Sequence, residues 1–515
     1  MGSTKAKPSF RLIEWLQSRL SIAGTSLVAG GSSIHPAAHY SGPIKSKPLF
    51  TLTSGLIWSQ SRFSMGQPSM DPPPMASKAQ DTGLVSGASG GSSARLHLVA
   101  DKTHFDIVEL LLRTGAPVDV TNQDNNTLLH CAARDGYTDT AKLLLEKGAP
   151  VEAVNNEDNT PLHVAAQNGH IGMVGILLRN DARVEAIGNY GNTPLHFAAS
   201  GGHTGVVEVL LEKGAPIEAL GQHGGTPLNS AAMEGHTEVV GILINNGASI
   251  EAMNQYSNNS LRLAAMRGHV RIAELLLEKG ASIDVKGQYG STALISAAGA
   301  GHIGVMELLL NKGASIEAKS QNGNTSLISA AGEGHTGVVE VLLSRGAAIE
   351  AENQHGNTSL NIAAWHGYTT LVEILLDRGA SIEAKNEHGN TSLISAALGG
   401  HTGVVEILLN RGSSIEARDN SDFTALNSAA SWGHPSLVEL LLMKGASIEA
   451  ASNKRSTPLH RAASNGHTRV VEILLRNGAL IGAKNIYGQT PLDVATQNGH
   501  IDTVKLLKLY LWHHS

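Results

Sequence analysis

From residue 94 onward the apolar positions follow a beat of 33 residues, and within each beat the spacing is helical twice over. The unit at 160–192 shows the pattern. Leu162, Ala165 and Ala166 stand at i, i+3 and i+4, the narrow stripe of one helix face. Thr160 suits the N-cap, and Pro161 suits the first helical position, where its missing N–H costs nothing. Asn168-Gly169 breaks this helix and His170 opens a second, in which Val174, Leu177 and Leu178 repeat the spacing. Most units stop the second helix at a Gly-Ala pair, as at Gly148-Ala149, Gly214-Ala215 and Gly379-Ala380, with glycine as a left-handed cap. A connector such as residues 381–390 then leads to the next Thr, its turn residues predicting a β-hairpin-like finger.

Thr127, Thr160, Thr193, Thr226, Thr292, Thr325, Thr358, Thr391, Thr424, Thr457 and Thr490 all lie on this grid, with Ala94 and Asn259 at the equivalent positions. That makes thirteen units without insertion or deletion. One unit cannot bury both of its stripes, so the units must stack. At about 8–10 Å between packed helices, the stack extends roughly 100–130 Å.

The Thr-Pro-Leu-His start (160–163, 193–196, 457–460), the paired alanines, the Gly-His break and the Gly-Ala stop resemble the ankyrin repeat over residues 93–512. The resemblance implies an all-α solenoid with short hairpin-like connectors. It also implies a non-enzymatic role in which protein partners dock in a concave groove lined by finger tips and first helices. The ends read as caps: Asp101-Lys102-Thr103 replaces the usual break in the first unit, while Lys508 and Leu511 replace a buried aliphatic residue and the stop glycine in the last.

Residues 1–92 are of another kind. Ser, Gly and Pro dominate, as in Asp71-Pro72-Pro73-Pro74, and the stretch is expected to be disordered apart from a short amphipathic helix within residues 10–20. It holds eight Lys/Arg and three Asp/Glu, leaving 30 basic and 41 acidic residues for the remainder. A body of that sign does not attract a phosphate backbone, which argues against direct nucleic-acid binding. The basic, Ser-rich start is also compatible with mitochondrial import, against which a cytoplasmic or nuclear residence is the simpler expectation. The single cysteine, Cys131, excludes an intramolecular disulfide and reads as a small packing residue. No run of about 18 apolar residues exists to span a membrane.

Several chemical motifs match in letters and fail in context. Residues 299–304 and 332–337 spell G-x-G-x-x-G, but at the break between two short helices rather than after a strand. Residues 87–91 spell G-x-S-x-G inside a linker. No enzymatic activity, cofactor or metal is expected. Of 24 histidines, eleven open second helices and five occupy the Thr-Pro-Leu-His slot. The resemblance implies that both sets hydrogen-bond loop backbone. Equivalent histidines about 8–10 Å apart cannot share a zinc ion, whose bonds to nitrogen are about 2.0–2.1 Å.

Acids recur as well, in the connectors (Asp119, Glu152 and every 33 residues to Glu449) and in the second helices (Glu208 to Glu472). They read as solvated charge, or alternatively as a stripe selecting a basic partner. The positions that differ between units are the candidate contacts: Tyr190, Tyr256, Tyr289, His355 and His388 at finger tips, with Met233, Met266, Trp365, Leu398 and Trp432 at the ends of first helices. Trp365, Leu398 and Trp432 are expected to form one patch, with tip Tyr and His beside it. Two interaction roles fit, an adaptor or scaffold and a transcriptional coregulator or inhibitor that binds a transcription factor. A weak seam is expected near residues 250–270, where Asn259 replaces the capping Thr, the following Pro is lost and Ser257 stands for a turn glycine.

Overall fold

The computed structural model describes residues 108–109, 112–113 and 117–514. The reading of residues 1–92, His97 and the first-unit cap at residues 101–103 lie outside these. The described residues hold twelve consecutive helix pairs, from Leu128–Asp135 with Thr138–Glu146 to Pro491–Gln497 with Ile501–His514. First helices have seven or eight residues and second helices nine, except the last. Such helices are far too short to be stable alone, so their order comes from packing. Leu162, Ala165, Ala166, Met173, Val174 and Leu177 are fully buried, and the equivalent residues of successive units join into one continuous core. The paired alanines sit where the first helices of neighbouring units face one another. Lacking long side chains, they let the helix axes approach.

The glycines of the Gly-Ala stops are left-handed as expected, with φ 84° at Gly148 and 89° at Gly379, and left-handed glycines stand at the first-helix breaks too: Gly334, inside one G-x-G-x-x-G match, is the C-cap of Ser326–Glu333 at φ 76°. Gly301 in the other match has φ 80° at the same kind of break. Neither stands between a strand and a helix. At the far end Lys508 is exposed, and with Leu511 in place of glycine the last helix continues to His514.

The connectors differ from paired strands. Among the described residues the sole β-bridge is isolated, between Thr121 and Thr127. Each finger instead closes on itself, as where Asn353 N–H donates to Asn357 O at 3.1 Å. One main-chain bond joins it to the previous finger, as from Gln354 N–H to Asn322 O at 2.9 Å and from Glu387 N–H to His355 O at 2.9 Å. One bond per junction aligns the fingers without making a ladder. At two junctions a side chain takes over, Asn189 N–H donating to Asn159 Oδ1 and Gln222 N–H to Asn192 Oδ1.

The seam also needs correction. Asn259 does cap its helix, accepting from Arg262 N–H at 3.0 Å. What distinguishes this unit is Arg262 in the slot used elsewhere by histidine. The side chain is buried, donates Nη1–H to Ser257 O at 3.3 Å, and leaves Nε and Nη2 without partners among the described residues. Burial pulls its pKa down to about 10. Ser257 adds a non-glycine residue at φ 52°, in the left-handed region.

Candidate partner-binding surface

Separating residues that hold the stack from residues free to contact a partner begins with the histidines. In the Thr-Pro-Leu-His slot, His163 Nδ1 receives the Thr160 N–H at 3.1 Å and hydroxyl at 2.9 Å, so the proton sits on Nε2 and is donated to Ala186 O at 3.0 Å. His130, His196 and His460 do the same with the Asn159, Gly225 and Gln489 carbonyls at the ends of the connectors that follow them. Burial lowers the pKa of all four, to about 4 for His163, and keeps them neutral. Where asparagine replaces histidine the arrangement survives. Asn361 Oδ1 accepts from Thr358 N–H at 3.1 Å while Nδ2–H donates to Ala384 O at 3.3 Å and Ser392 Oγ at 3.1 Å, and Asn229 and Asn427 bond alike. The amide reproduces the acceptor and donor of the neutral imidazole, so losing the histidine does not weaken these units.

The histidines that open second helices act across units. His203 Nε2 meets Gln167 O at 2.9 Å, His401 meets Trp365 O at 2.9 Å and His434 meets Leu398 O at 3.3 Å, each satisfying a carbonyl at the end of the preceding first helix. Their rings lie over the left-handed glycines: a Cβ on Gly169 would collide with the ring of His203. Tyr368 takes this position in one unit and donates its hydroxyl to Gly332 O at 3.4 Å. Among the described residues no group of three His, Cys, Asp or Glu is arranged to hold a metal ion, and no helix is long and apolar enough to cross a membrane. Cys131 is buried in the core.

The connector acids are tied into the stack rather than simply solvated. Glu350 accepts from Ser381 N–H at 2.7 Å, Glu416 from Ser447 N–H at 2.7 Å and Glu218 from Ser249 N–H at 2.7 Å, always 31 residues ahead in the next unit. The two members without such a donor, Asp119 and Glu185, face Pro150 and Pro216, which have no N–H. Glu185 instead pairs with Arg183 Nε at 3.4 Å.

With these roles assigned, the variable positions can be read. Trp365, Leu398 and Trp432 lie at the C-terminal ends of Ser359–His366, Ser392–Gly399 and Ala425–Trp432, three successive first helices in contact. Trp365 and Leu398 are half-buried, whereas Trp432, one residue further and about 100° around its helix, is 55% exposed. Trp365 shares its corner with His366, which stacks on Tyr368 at 5.6 Å. Met233 and Met266, half-buried, occupy the same place in earlier units.

The tip residues do not lie beside this row. They precede the first helices, and an eight-residue helix separates its ends by about 12 Å. Tyr190 and Tyr289 are held at φ 55° and 63°, conformations uncommon for tyrosine, and Tyr190 and Tyr256 are 69% and 41% exposed. Tyr256 packs on His223 with ring centroids 5.3 Å apart. His355 and His388 both meet the Glu387 carboxylate, at 2.7 and 3.4 Å.

One group was missed. Val154, Ile187, Leu220 and Met253 occupy one connector position, three residues before the tip, and are 46%, 72%, 66% and 44% exposed. Their 33-residue recurrence is legible in the sequence, but an aliphatic residue beside a core stripe reads there as buried.

A stack of short helix pairs with one continuous core is the architecture of a tandem-repeat α-solenoid. The family model "Ankyrin repeats (3 copies)" matches residues 96–188, 183–254, 249–320, 316–386, 382–452 and 449–510. The chain belongs to the ankyrin repeat family. None of the curated proteins compared with the chain matches it.

Proposed function

We propose that this chain is a non-enzymatic adaptor or scaffold that holds protein partners on the face formed by its first helices and finger tips. Ankyrin repeats generally mediate protein–protein interaction, and a fold of this kind acts through its surface. The observation that carries the reading is the row of Trp365, Leu398 and Trp432. These three large apolar side chains stand on successive helix ends; the stack uses the main-chain carbonyls of Trp365 and Leu398, and that of Ser431 beside Trp432. Trp432, more than half exposed, has the size and rigidity of an interface anchor.

The test is affinity capture on the immobilised full chain, with the Leu398→Ala/Trp432→Ala double variant beside it. Loss of the retained proteins, with an unchanged helical circular-dichroism spectrum, supports the row as the contact. Retention unchanged by the double variant moves the contact elsewhere on the stack. If neither chain retains any protein, the adaptor reading fails.

A further inference from the structure

We infer that Val154, Ile187, Leu220 and Met253 form a docking column for a basic amphipathic helix, and this deepens the adaptor reading, on which it rests. The four residues occupy one position in four successive fingers, and all are exposed. In later fingers, apart from the two with Glu352 and Ala451, the same position carries Lys286, Lys319, Lys385, Arg418 and Lys484. There the side chain works as a clamp: Lys319 Nζ donates to Glu352 O at 2.9 Å, Lys385 Nζ to Arg418 O at 3.0 Å and Arg418 Nη1 to Ala451 O at 2.8 Å, each reaching the next finger. Aliphatic side chains cannot make that bond. The stack therefore gains no hydrogen bond from them, and leaving four in water is costly unless another surface covers them.

Spacing and charge define that surface. Fingers recur at the separation of packed helices, about 8–10 Å, and residues seven apart on an α-helix lie about 10.5 Å apart. A helix running along the stack thus sets one apolar side chain per finger, over about 22 residues for four fingers. The surroundings are acidic. The connectors spanning 117–126, 150–159, 183–192, 216–225 and 249–258 carry Asp119, Asp124, Glu152, Glu157, Asp158, Glu185, Glu218 and Glu251 against Arg183 alone. In the next connector Lys286 takes the column position itself, so the aliphatic column ends where a cation first enters it. Tyr190, Tyr256 and Tyr289 border the column at the tips, offering ring faces to cations. Apolar residues at a seven-residue period, flanked by Lys and Arg, complement this strip in both respects.

The experiment uses the full chain and a fluorescein-labelled 24-residue peptide with leucine at the a and d positions of a heptad and lysine at most others. A second peptide keeps the leucines and replaces every lysine by glutamate. Anisotropy titrations compare the unaltered chain with Ile187→Lys/Leu220→Lys, substitutions that later fingers already accommodate at this position. The expected result is binding of the basic peptide, at least tenfold weakened by Ile187→Lys/Leu220→Lys, with the acidic peptide at least tenfold weaker. Equal affinity for the two peptides, an unaltered affinity in Ile187→Lys/Leu220→Lys, or no binding at all overturns the column. The adaptor reading is judged separately, by protein capture.

Discussion

The guanidinium of Arg262 is the most consequential departure in the stack, and Arg262→His is the substitution that tests it. Histidine fits for a reason visible in two neighbours. The fingers over His163 and His196 carry Gly188 and Gly221 and turn through Tyr190 and His223 in the left-handed region, as the finger over Arg262 does through Gly287 and Tyr289. The cost of the native residue follows from its titration. Burial lowers its pKa from the usual arginine range to about 10, which comes to about 3 kcal/mol against the charged form. The unfolded chain binds that proton more readily than the folded one, so the destabilisation is fully present below pH 10, neutral pH included, and is relieved only as pH rises above about 10. A neutral imidazole removes this penalty and can accept from Asn259 N–H through Nδ1. It gives up packing of the arginine stem, worth about 1 kcal/mol, and the net gain is about 2 kcal/mol. Native-state hydrogen exchange at pH 7.5 is the assay. Amides of Ser260–Arg267 and Val270–Glu278, expected to open first in the unaltered chain, should exchange roughly 30-fold more slowly in the variant. Equal or faster exchange there would refute the argument, because it would mean that the buried charge is satisfied in place.

Four further outcomes follow from the same bonds. Acidification should loosen the units that keep the Thr-Pro-Leu-His histidine: between about pH 6.5 and 4 the unfolded chain takes up protons that His163 in the fold cannot. That lowers stability by about 2 kcal/mol at pH 5 from His163 alone, and exchange measured at pH 5 and 7 should show it around 128–200 and 458–464, sparing the Asn229 and Asn427 units. Glu350→Ala should cost about 1 kcal/mol through its lost bond to Ser381 N–H. Glu185→Ala, opposite Pro216, should cost almost nothing, and urea unfolding of the two variants distinguishes them. Asn361→Ala should cost about 2 kcal/mol, since it leaves the Thr358 N–H unpaired and removes two donated bonds; a smaller effect than that of Glu350→Ala would contradict the equivalence of Asn and His in this slot. Trp432→Ala should leave the unfolding midpoint within error, because the side chain is more than half exposed, and a large drop would place the ring inside the stack.

Much of the fold was legible because its instructions are local. Thr160, Pro161 and Gly169 act within one turn of where they stand, and the Leu162–Ala165–Ala166 and Val174–Leu177 stripes require only helical periodicity. The candidate surface was less legible. Sequence spacing located Trp365, Leu398 and Trp432 on successive helix ends, yet it placed the finger tips next to them, since distance along a folded unit is not distance along the chain. It overlooked Ile187 and Leu220, because an exposed aliphatic side chain and a buried one are written with the same letter.

The repeat length, the helix boundaries, the caps and the core faces thus follow from order along the chain, each being a matter of a few neighbouring residues. Contacts between units decide the rest. The carboxylate of Glu350 becomes a structural acceptor only because an N–H from 31 residues onward arrives beside it, and Asn361 stands in for histidine only because the Ala384 carbonyl of its connector and the Ser392 hydroxyl of the following unit meet its amide. Arg262 is desolvated because the connector that follows closes over it. Those relations depend on where a stacked neighbour sets its main chain, which no single unit specifies.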